Sequence, residues 1–140
     1  MSELNELYQA LILDHNRAPQ NFGRIESPTH EADGHNPLCG DRLLVTLIVD
    51  GENITDIKFD GSGCAISKAS ASLMTSALKG KSVAEADAMF SKFHQLCTGE
   101  SDDTENLGKL AVFAGVKEFP MRVKCATLSW HTVQGALHES

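Results

Sequence analysis

The chain has 140 residues, 41% apolar and 22% charged, with a net charge of -7. That length suits one domain spanning residues 1–140 with its own core, while the negative charge opposes nucleic acid or an anionic membrane as a partner. No apolar run approaches the ~18 residues of a membrane span, and the N-terminus carries acids where a signal peptide carries bases, so the reading is a cytoplasmic protein.

Residues 2–16 read as an amphipathic helix, with Ser2 as N-cap and Leu4, Leu7, Tyr8, Leu11 and Ile12 at helical spacing. Pro19 and Gly23 in "RAPQNFG" break it. Residues 24–40 are polar and read as extended or looped. "LLVTLIVDGENITDIKF" reads as two strands around a turn at Asp50, Gly51, Glu52 and Asn53. Leu43, Val45, Leu47 and Val49 share one face of the first strand, and Ile57 and Phe59 one face of the second.

Gly61 and Gly63 then mark a tight approach, followed by an Ala- and Ser-rich helix over about 64–79 that Gly80 ends. A further helix over about 82–97 has Ser82 as N-cap and Glu85 in the capping-box position. The acidic stretch "TGESDDTEN" reads as a solvated loop. Residues 104–117 read as helical, with Leu107, Leu110 and Val112 or Phe113 inward, and the last helix follows Pro120 over about 121–138. The order predicts an α+β domain with a small antiparallel sheet of about three strands packed against several helices.

In a reducing compartment the four cysteines, Cys39, Cys64, Cys97 and Cys125, are not expected to form structural disulfides. Three of them fall at predicted element ends: Cys39 in "NPLCGDRL", Cys64 after "GSG", and Cys125 near the start of the last helix. A helix start favours thiolate. Cys39 and Asp41 flank one glycine and could converge on one ion; with Cys64 and Cys125 they would form a three-sulfur, one-oxygen zinc site. Such a site is anionic, and Arg42, Arg122 and Lys124 are near in sequence to offset it. The separations match no zinc-finger pattern, so separate burial of the cysteines stays open as the alternative.

Other residues carry plainer readings. Cys97 reads as a buried core thiol, His35 as a solvated loop residue and Trp130 as core packing. His94 and His131 do not read as ligands. Asp14 reads as a residue near a helix end and His15 as bonding a loop carbonyl.

Four segments in order, "DHNRAPQNFG", "NPLCGDRL", "FDGSGCAISKASAS" and "VKCATLSWHTVQGAL", resemble the U-type iron–sulfur cluster assembly proteins, the SufU, IscU and NifU N-terminal group. IscU-type members typically carry Leu-Pro-Pro-Val-Lys and then a histidine immediately before the last cysteine. Here "EFPMRVKC" keeps Pro120 and a basic residue at Arg122, Lys124 stands in the histidine's place, and an extra stretch occupies roughly residues 99–118. These departures resemble SufU-type members.

The resemblance implies that Cys39, Asp41, Cys64 and Cys125 bind Zn2+ and that Cys39 is the catalytic acceptor thiol. In the family mechanism a histidine of the desulfurase takes a ligand position and frees the Cys39 thiolate to attack the persulfide. The implied function is a zinc-dependent sulfurtransferase-like acceptor that stimulates a SufS-type cysteine desulfurase and passes sulfur to a downstream SufBCD-type cluster scaffold. Two alternatives stand beside it: a scaffold that binds iron or a [2Fe–2S] cluster on the same residues, and a non-catalytic, zinc-stabilised binding module.

Overall fold

The computed structural model describes residues 2–36 and 40–138, with side chains from residue 9 onward within those ranges. Its elements are α1 (Ser2–Arg17), β1 (His30–Asn36), β2 (Asp41–Asp50), β3 (Asn53–Ser62), α2 (Ala65–Leu78), α3 (Val83–Thr98), a 3₁₀ helix (Gly108–Glu118) and α4 (Pro120–His138). The expected α+β architecture is the one observed, with a three-stranded antiparallel sheet in the order β1-β2-β3. Ser2, Leu4, Leu7 and Tyr8, expected to cap and pack α1, lie outside the described side chains.

The β2–β3 hairpin forms where expected, with Asp50 opposite Asn53. Gly51 occupies the first central position of the two-residue turn with φ +64°, a conformation that glycine enters without steric penalty. Leu43, Val45 and Leu47 alternate inward and are buried, as are Ile57 and Phe59 across from them. A register shift between Ile48 and Val49 interrupts the alternation, so Val49 is only half-buried.

β1 forms within the polar segment. Its sequence, "HEADGHN", puts Glu31, Asp33 and His35 on the exposed side. Ala32 and Gly34 face the helices, and a Cβ built on Gly34 would stand 2.0 Å from Thr132 Oγ1 of α4. An edge strand with a charged outer row needs no apolar alternation, and its small inner residues allow α4 to approach.

The capping box of α3 is complete: Ser82 Oγ accepts the Glu85 N–H at 3.0 Å and Glu85 accepts the Ser82 N–H at 3.0 Å. Gly99 ends that helix in the left-handed region. The segment expected to be helical over 104–117 is a tighter 3₁₀ helix over Gly108–Glu118. Leu107, Leu110, Phe113 and Val116 are all buried, and their strict three-residue repeat matches three residues per turn.

Behind the sheet, Trp130 stacks on Phe93 at 4.7 Å and Phe93 meets Phe113 edge-on at 5.6 Å. Trp130 therefore packs in the core, and Cys97 is wholly buried there, as expected.

Candidate metal centre

The inward row of β2 begins one step earlier than its apolar residues. Asp41 precedes Leu43, Val45 and Leu47 in the same alternation and is 0% exposed. Arg42 consequently points the other way. It is 70% exposed and pairs with Asp33 of β1 at 3.2 Å on the outer face. The expectation that Arg42 offsets the charge of the site is therefore corrected. Arg122 lies over the Phe119 ring at 4.4 Å, and Lys124 is exposed on α4.

Cys64 occupies the N-cap of α2, with extended backbone at φ -69° and ψ 167°. Its Sγ accepts the Ser67 N–H at 3.4 Å, which places the sulfur where unpaired amides and the helix dipole favour negative charge. The Cys64 N–H donates to Asp41 Oδ1 at 2.7 Å, and Cys64 Sγ lies 3.8 Å from Asp41 Oδ2. The role of Ser67 was not anticipated from sequence. The available signal was a cysteine in an N-cap slot, which makes the amide three residues on a donor to sulfur.

Gly63 closes the third side. A Cβ there would stand 2.8 Å from Asp41 Oδ1 and 3.2 Å from its Cγ, so the glycine leaves the carboxylate its space. Gly61, at φ +125°, lies so close to β2 that a Cβ would meet the Arg42 carbonyl oxygen. The expected tight approach at both glycines is present.

Cys125, 4% exposed, comes from α4, which packs against α2. One donor atom each from Asp41, Cys64 and Cys125 lie within 4.8 Å of one another. Three of the four expected ligands are thus brought together. Cys39, the fourth, lies outside the described residues.

This donor set fits zinc. Ligand atoms about 2.0–2.3 Å from a tetrahedral zinc lie roughly 3.5–3.8 Å apart, close to the observed sulfur–carboxylate spacing. No salt bridge among the described residues reaches Asp41. A fully buried carboxylate without a cation is costly, and two thiols beside it supply the softer donors zinc accepts.

The remaining candidates lie elsewhere. His35 is exposed on β1. His94 and His131 face each other across α3 and α4, with ring centroids 5.3 Å apart. Burial, and then His94, push His131 below the usual histidine range. His15 is buried and bonds the Ser72 hydroxyl at 2.6 Å, rather than the loop carbonyl expected. Burial pushes the Cys97 thiol up to about 12, which suits a core residue and not a reactive one.

Comparison with known proteins adds a family. Residues 7–126 match the NifU-like N-terminal domain. The chain is 43% identical over 134 residues to the zinc-dependent sulfurtransferase SufU of Bacillus subtilis, covering 95% of this chain and 90% of that one. It is 39% identical over 141 residues to the iron–sulfur cluster assembly scaffold protein IscU of Streptococcus pyogenes, covering 100% of this chain and 88% of that one. Among solved structures, a putative iron–sulfur cluster assembly scaffold protein for the SUF system from Fervidobacterium islandicum superposes with a TM-score of 0.89 at 37% identity, covering 94% of this chain and 97% of that one. On the match of sequence, fold and local geometry, this chain belongs to the NifU-like N-terminal domain family.

Proposed function

We propose that the chain acts in iron–sulfur cluster assembly as a zinc-dependent sulfur acceptor, taking persulfide sulfur from a SufS-type cysteine desulfurase and passing it to a SufBCD-type scaffold. The observation that carries this reading is the convergence of Asp41, Cys64 and Cys125 from three separate elements, in a chain similar to a zinc-dependent sulfurtransferase over 95% of its length. Residues 1–140 act as one unit in this reading, in the cytoplasm. Among the described residues no helix is long and apolar enough to cross a membrane.

Asp41, Cys64 and Cys125 would hold zinc together with Cys39. Zinc, when bound, keeps its thiol ligands deprotonated at neutral pH. The chain's own groups do the rest. The Cys64 amide orients Asp41 by donating to Oδ1. The α2 N-terminus stabilises charge on Cys64 through the Ser67 amide.

Two residue steps separate Cys39 from Asp41, a covalent reach of about 7 Å. As acceptor, the Cys39 thiolate attacks the outer sulfur of the donor persulfide. A new sulfur–sulfur bond forms on Cys39, the donor's sulfur–sulfur bond breaks, and the desulfurase cysteine leaves as thiolate. The exchange needs no oxidant or reductant.

The test pairs metal analysis with desulfurase stimulation across Cys39→Ala, Cys64→Ala, Cys125→Ala and Asp41→Ala. Wild type is expected to carry about one zinc per chain, with Asp41→Ala retaining it less well and Cys39→Ala abolishing stimulation. Full acceptor activity in zinc-free protein, or loss of stimulation with Cys125→Ala but not Cys39→Ala, overturns the assignment.

A second reading is favoured by the likeness to scaffold proteins named IscU: assembly and transfer of a [2Fe–2S] cluster on the same thiolates. Anaerobic reconstitution giving a stable visible spectrum and cluster transfer to an apo-protein distinguishes it.

A further inference from the structure

A surface cleft lies apart from the metal centre, and none of Asp41, Cys64 or Cys125 lines it. It has a volume of about 440 Å³ and is bounded by α1, α2, α3 and the 3₁₀ helix. The chain carries a net charge of -7, yet three lysines line this cleft, Lys79, Lys81 and Lys109, with no carboxylate among the described lining residues. Lys79 lies 3.4 Å from Asp56. Lys81 and Lys109 join no salt bridge among the described residues, although Lys81 feels the nearby Glu85 carboxylate.

The cleft also holds an ordered imidazole. His15, 6% exposed, lines it. Ser72 Oγ accepts the Gln20 N–H at 2.7 Å and lies 2.6 Å from His15 Nδ1. This contact fixes the ring's position in the wall of the cleft. Burial, and then Lys109, push His15 below the usual histidine range, which favours the neutral ring. Leu73, Met89, Leu107 and Leu110 supply an apolar wall. The cleft is open to solvent, and it sets this apolar wall beside a few polar groups, the combination small-ligand sites use.

We propose that this cleft binds a small phosphorylated ligand, with its phosphates against Lys81 and Lys109 and the His15 ring. Lysine suits phosphate as a compact point charge. The proposal is independent of the metal centre's function. Two sources share the chemistry: a free polyphosphate, and a phosphate carried on an organic body that covers the apolar wall.

Calorimetric titration of the purified chain with inorganic pyrophosphate and with ADP tests it. Both are expected to bind at low salt and more weakly at high salt. The double variant Lys81→Ala/Lys109→Ala is expected to weaken binding on the order of twentyfold, about fivefold per exposed charge, with its circular dichroism unchanged. Cys125→Ser is expected to bind both probes as wild type does. In NMR, the His15 titration is expected to move upward on binding, because an anion offsets Lys109. Tighter binding of ADP than pyrophosphate assigns the apolar wall to the ligand body, and equal binding assigns the site to phosphate alone; either supports the site. Absence of millimolar binding, wild-type affinity in the lysine variant, or loss of binding in Cys125→Ser overturns it, the last by placing the probe on the metal centre.

Discussion

The buried carboxylate of Asp41 owes its position to two neighbours that contribute no side-chain donor. The Cys64 amide fixes one oxygen, and Gly63 leaves the space beside it. Gly63 has no unusual φ, so alanine there meets no backbone penalty and acts only through its methyl. Gly63→Ala is expected to displace the carboxylate and weaken zinc retention by about 10- to 100-fold, the range for altered supporting groups, as read by competition with a chromophoric chelator. Unchanged retention would show that Asp41 is not a ligand. Cys97 gives a contrasting prediction at the same scale. Buried, with its thiol pushed up to about 12, it is expected to stay unalkylated by iodoacetamide in native protein at pH 8, while half-exposed Cys64 reacts once zinc is removed. Peptide mass spectrometry reads both sites.

At the scale of elements, α4 depends on a strand with almost no side chains to offer. Gly34→Ala would drive a methyl into Thr132 Oγ1 and close to Leu128 Cδ1. It is expected to cost about 1–3 kcal/mol of stability in urea denaturation, as overpacked sites do. Adding Thr132→Ala should recover part of that loss; no recovery would mean the strain lies elsewhere. This contact also shows where sequence reading stops. The hairpin, the capping box and the N-terminal end of α2 were legible because each is written in neighbouring residues: alternating Leu43, Val45 and Leu47, the Ser82–Glu85 pair, and Cys64 after two glycines. β1 was legible only as part of an extended or looped stretch, because an edge strand with Glu31, Asp33 and His35 outward lacks the apolar signal and is defined by its partner β2. The 3₁₀ helix was misread in pitch although Leu107, Leu110, Phe113 and Val116 spell a period of three. Arg42 was misplaced for a related reason. Nearness in sequence to Asp41 suggested nearness in space, whereas successive strand residues point to opposite faces. Three site residues were anticipated through family resemblance, since Cys64 and Cys125 meet only through the packing of α2 on α4.

The whole molecule decides whether the metal holds the fold or the fold holds the metal. The donors sit at the beginning of β2, the N-cap of α2 and the sixth residue of α4, at the border of the core. The core itself is closed without them. Phe59, Phe93, Phe113 and Trp130, with Leu43, Leu47, Ile54 and Ile57, are all at most 1% exposed. Burying each such side chain is worth about 1.5–3 kcal/mol; the aromatic stack shares no residue with the site, and the three-stranded ladder meets it only at its end pair, Asn36 opposite Asp41. Chelation is therefore expected to leave far-UV circular dichroism unchanged at 25 °C while lowering Tm, because a metal bound only to the native state would add stability by mass action. The residual cost in the apo-protein is a buried Asp41 without its cation, so Asp41→Asn is expected to raise the Tm of apo-protein and lower that of zinc-loaded protein. Unfolding on chelation would instead identify a zinc-stabilised binding module, in which the metal supplies the folding free energy. A folded apo-protein would leave a bound zinc free to exchange ligands, as the sulfur transfer proposed at Cys39 requires.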